Sequence, residues 1–155
     1  LRIDVVAVGR LGRTAEAGLV ADYLQRATNT GRALALGPAQ LIEVEGRSAD
    51  KTTEAKLLLD QIAPGAAVFA CDERAPAETS RQFAERLARV RDGGAPRAVF
   101  LIGGADGLTD AVRARADHLL SFGAFTWPHA LARVLLAEQI YRATTILAGS
   151  PYHRD

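Results

Sequence analysis

The sequence predicts an α/β domain, a mostly parallel sheet flanked by helices, and two observations carry that expectation. Apolar runs of strand length alternate along the whole chain with segments of helical period. The chain is 155 residues long, enough for one domain that buries roughly 70% of the surface its unfolded form would expose.

The elements follow in order. The strand candidates are Ile3 to Val8, Leu41 to Val44, Ala67 to Cys71, Ala98 to Ile102 and Leu119 to Phe122, each a short run rich in apolar residues. Helices are expected near 15–27, 50–62, 79–91, 109–117 and 130–147. The third is opened by Thr79 or Ser80 and sets Phe83, Leu87 and Val90 on one face, a core stripe. The fifth follows Pro128, presents Leu131, Val134, Leu135, Ile140 and Leu147 as an apolar face, and is ended by Gly149. Residues 28–40, TNTGRALALGPAQ, carry Gly and Pro without a clear period and read as an irregular connection.

Composition removes several function classes. No apolar run approaches the roughly 18 residues of a membrane span, and no basic-then-apolar leader opens the sequence, so a cytosolic protein without a membrane partner is expected. A lone cysteine, Cys71, lies among apolar neighbours and reads as a buried structural thiol before a reactive one. No His-Glu-x-x-His or Cys/His cluster points to a metal, and His118 reads as a core or surface residue. The net charge of +1 does not by itself mark a nucleic-acid binder. The basic residues are arginines except for Lys51 and Lys56, which suits phosphate recognition or simply reflects base composition.

The first chemical signal is LIGGADG, residues 101–107, a glycine loop between a strand and a helix. Its Gly-Gly-x-x-Gly spacing is neither a dinucleotide fingerprint nor a P-loop, and its one charge, Asp106, would repel a polyphosphate. An uncharged or cationic ligand fits it better; a tight turn needing close packing is the other reading. Parallel sheets bind ligands beyond the carboxyl ends of their strands. The sequences there are Cys71-Asp72-Glu73 and Ser121 to His129, the latter placing Phe122, Phe125 and Trp127 around Thr126. Those aromatics would either wall a heterocycle or fill the core. Glu138 and Arg142 are spaced for a helix-face ion pair, and Tyr152-His153-Arg154 close the chain with a phenol, an imidazole and a guanidinium.

The segments LIGGADGL, LLSFGAFTWPHALARVLLAEQIYRA and SPYHRD, with DVVAVG and FACDERA before them, closely resemble the RlmH family over essentially the whole chain. That resemblance implies a single SPOUT-type domain spanning 1–155, with a C-terminal trefoil knot and no appended RNA-binding domain. It implies a homodimer that uses S-adenosyl-L-methionine to methylate N3 of a pseudouridine in a helix-loop of 23S ribosomal RNA, within the ribosome or large subunit. Cofactor-contacting positions carried over from the family are Cys71, Gly103, Phe122, Gly123, Ala124, Phe125, Thr126 and Trp127. Of these, Cys71, Gly123 and Trp127 depart from the aliphatic or small polar residues common there. His153, Arg154 and Arg142 are the catalytic candidates, and His129 and Tyr152 the substrate-side ones. His153 could accept the N3 proton, while either arginine could stabilise the anionic base or hold a phosphate. A non-catalytic RNA-binding or ribosome-assembly factor on the same fold is the alternative. An oxidoreductase would need its glycine fingerprint after the first strand, where the chain has only Gly9-Arg10-Leu11-Gly12.

Overall fold

The computed structural model describes residues 1–45 and 50–155. Its five strands, β1 (Arg2–Val8), β2 (Ala39–Val44), β3 (Ala67–Cys71), β4 (Arg97–Ile102) and β5 (His118–Leu120), form one parallel sheet in the order β2-β1-β4-β3-β5. Five helices flank it: α1 (Ala15–Gly31), α2 (Lys51–Leu59), α3 (Ser80–Asp92), α4 (Asp110–Arg115) and α5 (His129–Ala148). Alternation along β4 divides the interior in two. Ala98, Phe100 and Ile102 face a core shared with α1, α3 and α5, whereas Val99 and Leu101 face a second core shared with α2 and α4.

Local chemistry sets the helix starts. Thr14, Asp50, Thr79 and Thr109 each accept a hydrogen bond from a first-turn amide, and Thr79 completes a capping box with Gln82. The expected Phe83 and Leu87 are buried, and Val90 packs against their cluster.

Three expectations are corrected. Residues 28–40 are largely regular: α1 continues to Gly31, a 3-10 turn covers Arg32–Leu34, and β2 begins at Ala39. Gly31 is the last residue of α1, and only glycine fits there because a Cβ would run into the carbonyl oxygen of Leu36. Thr28 fastens the segment, donating to the Leu24 carbonyl and accepting from the Ala39 amide. The fifth strand stops at Leu120, short of Phe122, because its partner ends at Cys71, paired with Leu120. Finally, α5 has no simple apolar stripe. Leu131 is 39% exposed, while Arg133, Thr144 and Thr145 are buried beside Leu136, Ala137, Ile140 and Ala143.

Among the described residues Arg133 is the largest fully buried side chain. It donates to Glu43 at 2.8 Å and to the carbonyls of Val8 and Gly9 at 2.6 and 3.0 Å, so α5 is bolted to the carboxyl ends of β1 and β2. Burial lowers its pKa and Glu43 opposes that shift.

Candidate functional site

The loops that leave β3, β4 and β5 converge on one cleft of about 650 Å3 at the carboxyl edge of the sheet. Ile102 to Leu108 form its floor. The segment turns back on itself, with the Gly107 amide bonded to the Gly104 carbonyl at 3.0 Å. Gly103 is required by this turn, since a Cβ there would stand 2.7 Å from the Gly107 carbonyl oxygen and 3.0 Å from Leu108. At Gly104 the same atom would meet the Glu54 carboxylate at 2.6 Å. Burial and the neighbouring Asp106 raise the pKa of Glu54. Neither the sequence pattern nor the glycine spacing pointed to Glu54, because it arrives from α2.

Cys71 forms the β3 side. Burial and the adjacent Asp72 push its thiol up to about 12, so it is a neutral wall and not a nucleophile. Asp72 pairs with Arg113 of α4 at 3.2 Å, and Arg113 also donates to the Leu108 carbonyl at 2.7 Å, tying the β3 and β4 loops together. Arg113 had no sequence signal, being one arginine among many. Lys51, from the first turn of α2, supplies the ammonium that the glycine loop itself lacks. Lys51, Arg74 and Arg113 thus stand against Asp72, Glu73 and Asp106 around the cleft. That near balance of charge favours a zwitterionic or singly cationic ligand over a polyphosphate.

The third wall is the loop from Ser121 to Pro128. Phe122, Gly123, Phe125, Thr126 and Trp127 line the cleft, and His129, the first residue of α5, stands at its mouth. The Trp127 indole donates to the Phe122 carbonyl at 3.2 Å, and the Phe125 and Trp127 rings meet edge to face at 6.3 Å. Phe125 is 79% exposed and Trp127 40%, so these two are not core filling, whereas Phe122 also packs against the core. Ala124 is exposed and lies outside the lining.

The remaining candidates gather elsewhere. The chain turns at Gly149 and runs back along α5, where Glu138 accepts from Arg142 Nε at 3.0 Å, from Arg142 Nη2 at 2.6 Å and from the Tyr152 hydroxyl at 3.0 Å. The Arg142 guanidinium also lies over the Tyr152 ring, 4.7 Å from its centre. Burial and Glu138 push the Tyr152 phenol up to about 12, so it stays protonated. His153 has both ring nitrogens engaged, Nδ1 with Arg142 at 3.1 Å and Nε2 with Asp155 at 3.0 Å. A guanidinium can only donate, so Nδ1 is the acceptor and the proton sits on Nε2. Arg81 of α3 holds Asp155 at 2.7 Å, and that contact with the one from His153 brings the Asp155 carboxyl down to about 2. Arg154 is exposed and has no bonded partner among the described residues. Glu138 and Arg142 lie nine and thirteen residues beyond His129, about 14 and 20 Å along the helix. The cleft and the tail cluster are therefore separate within one chain.

Among the described residues no group of His, Cys, Asp or Glu could hold a metal ion, and no helix is long and apolar enough to cross a membrane.

The model of a family described as a predicted SPOUT methyltransferase matches residues 1–153. The chain is 58% identical over 155 residues to the ribosomal RNA large subunit methyltransferase H of Phenylobacterium zucineum, covering all of both chains. It is 57% identical to the protein of that name from Caulobacter vibrioides, covering all of this chain and 99% of the other. Among solved structures, a probable methyltransferase from Bordetella pertussis superposes with a TM-score of 0.56 at 18% identity, covering 92% of this chain and 94% of that one. A probable methylase family protein from Haemophilus influenzae gives 0.54 at 13% identity, covering 99% and 70%. At those identities the structural likeness shows the fold.

Proposed function

Because this chain belongs to the SPOUT methyltransferases, and within them to the RlmH family, we propose that it methylates N3 of a pseudouridine in a helix-loop of large-subunit ribosomal RNA. The observation that carries the reading is the cleft, where three strand-end loops of opposed charge and aromatic walls close on a space of about 650 Å3. When bound, S-adenosylmethionine supplies a methyl group activated by a sulfonium cation, so that a deprotonated ring nitrogen can displace neutral S-adenosylhomocysteine. The chain's own groups fit it. The turn at Gly103 and Gly104 offers main-chain polar atoms, Phe122 and Trp127 offer ring faces, Cys71 an uncharged wall, and Lys51 a partner for a carboxylate.

The chemistry on the substrate side falls to the tail. Arg154, exposed and without a bonded partner among the described residues, would face the developing negative charge on the base. Arg142, held by Glu138 and His153, would fix the Tyr152 ring and the path of the tail, while His129 meets substrate at the cleft mouth. Positioning of this kind can supply much of the barrier reduction.

The tail stands about 14–20 Å along α5 from its own cleft, so in this reading the enzyme is a homodimer in which the tail of one protomer meets the cleft of the other. Exposed Phe125, Trp127 and Leu131 provide apolar surface for pairing. A C-terminal trefoil knot, action on assembled ribosomes or large subunits, and a cytoplasmic location complete the proposal.

The test is calorimetric titration with S-adenosylmethionine and with NAD, followed by methyl transfer to large subunits and to a short naked hairpin carrying the target loop. Saturable binding of S-adenosylmethionine alone, with turnover on subunits well above the hairpin, is expected. Binding of NAD instead would make the cleft a dinucleotide site. Cofactor binding without transfer to any ribosomal substrate would leave a binding factor.

A further inference from the structure

One basic feature lies outside both clusters. The segment Gly9 to Arg13 leaves β1 at the same edge of the sheet as the cleft, and β1 neighbours β4, whose end forms the cleft floor. It is held with care for a five-residue loop. The Gly9 amide donates to the Val44 carbonyl at 2.8 Å, Arg133 of α5 grips the Gly9 carbonyl, and the Leu11 amide donates to Glu43 at 2.8 Å. Glu43 is the carboxylate that also receives Arg133, and the Leu11 side chain packs on the core. Gly9 and Gly12 take φ of +90° and +62°, values that disfavour other residues.

The two side chains this scaffold leaves outside are both arginines. Arg13 is exposed and has no hydrogen-bond or ion-pair partner among the described residues. Among the described residues Arg10 pairs only with Glu45, at 3.0 Å, and both side chains are more than half exposed. Such a surface pair is worth about 0–1 kcal/mol and yields readily to a competing anion. Fixed main chain with free guanidinium heads is what phosphate contacts require, since forks bind phosphate oxygens and a rigid base limits the entropy lost.

We infer that the Gly9–Arg13 loop is a phosphate-holding arm, Arg10 and Arg13 gripping the ribosomal RNA backbone beside the target nucleotide while the cleft presents the methyl donor. The inference rests on the RNA substrate proposed above. It offers a chain of net charge +1 a local attraction for RNA, two weakly held guanidiniums at the cleft's edge of the sheet.

Binding of Arg10→Ala, Arg13→Ala and the double variant to purified large ribosomal subunits, measured across a salt series, tests it. Arg2→Ala is the control, removing one exposed arginine at the opposite, amino edge of the sheet. Each arm substitution should lower the slope of log K against log salt by about 0.7–0.9, the double by about twice that, with Arg2→Ala unchanged. Titration with S-adenosylmethionine and thermal melting should match wild type in all four. An unchanged slope, a weaker affinity at unchanged slope, or an equal fall in Arg2→Ala would overturn the arm. Wild type that binds the cofactor but shows no salt-dependent binding to subunits would remove the RNA reading and the arm with it.

Discussion

Replacing His153 decides between proton abstraction and positioning. Its Nδ1 lone pair is occupied by Arg142 and its Nε2 proton by Asp155, leaving no vacant basic site on the ring. Removing the imidazole deletes two hydrogen bonds to charged partners, of which the one to Arg142 is worth about 1.5–3 kcal/mol. If that energy goes into holding Arg142 and the tail in their working places, His153→Ala should slow single-turnover methyl transfer by roughly 10- to 150-fold. His153→Asn keeps an acceptor oxygen for Arg142 but no group basic enough to take a proton, and should retain most of the rate. Cofactor affinity and dimerisation should be near wild type in both. The assay is single-turnover transfer to large subunits from about pH 6.5 to 9, a range around the ordinary histidine pKa. Parallel profiles for wild type and both variants are expected. A His153→Ala rate that climbs with pH until it meets wild type, with His153→Asn equally damaged, would refute the reasoning and make His153 the base.

Two further outcomes follow from the cleft. Gly103→Ala should destabilise the protein by about 1–3 kcal/mol in urea unfolding, because its Cβ meets backbone of the Gly107 turn, whereas Gly104→Ala should cost less than about 1 kcal/mol, the Glu54 carboxylate being free to swing away. Trp127→Ala, at a 40% exposed position, should leave stability nearly unchanged and weaken S-adenosylmethionine binding roughly tenfold in calorimetry, as loss of one ring face from a heterocycle does.

Much of this arrangement was legible in the residues. The run at 67–71 is a strand with the expected ends and that at 98–102 one that begins a residue earlier, at Arg97, because their apolar residues serve cores on both faces and leave a periodicity-based reading little choice. The convergence of the Cys71, Gly103 and Phe122 to Trp127 loops followed from strand direction alone. The errors have physical causes. Gly31 looked like a chain break but serves a close approach at the end of a helix, which depends on Leu36 arriving from beyond it. Arg133 was indistinguishable in sequence from surface arginines, since what buries it is the meeting of Glu43 with the carbonyls of Val8 and Gly9. Glu54, Lys51 and Arg113 reach the cleft from helices whose own patterns speak only of packing. The tail motif singled out Tyr152, His153 and Arg154, but not that Tyr152 settles on Glu138 and His153 on Arg142, well away from the cleft of their own chain, while Arg154 stays outside that cluster.

The helix α5 is gripped at two stations, by Arg133 at its entry and by Glu138 and Arg142 further along. Between them the backbone acts as a ruler. One residue inserted after Arg133 would advance everything beyond it by about 1.5 Å and rotate it by about 100°. Glu138 and Arg142 would swing off the tail and Ile140 out of the core, although no side chain had been changed. Substitution along this helix can be absorbed one contact at a time. A change of its length cannot, so the count of residues between the cleft mouth and the tail is itself a constraint that the structure sets on the chain.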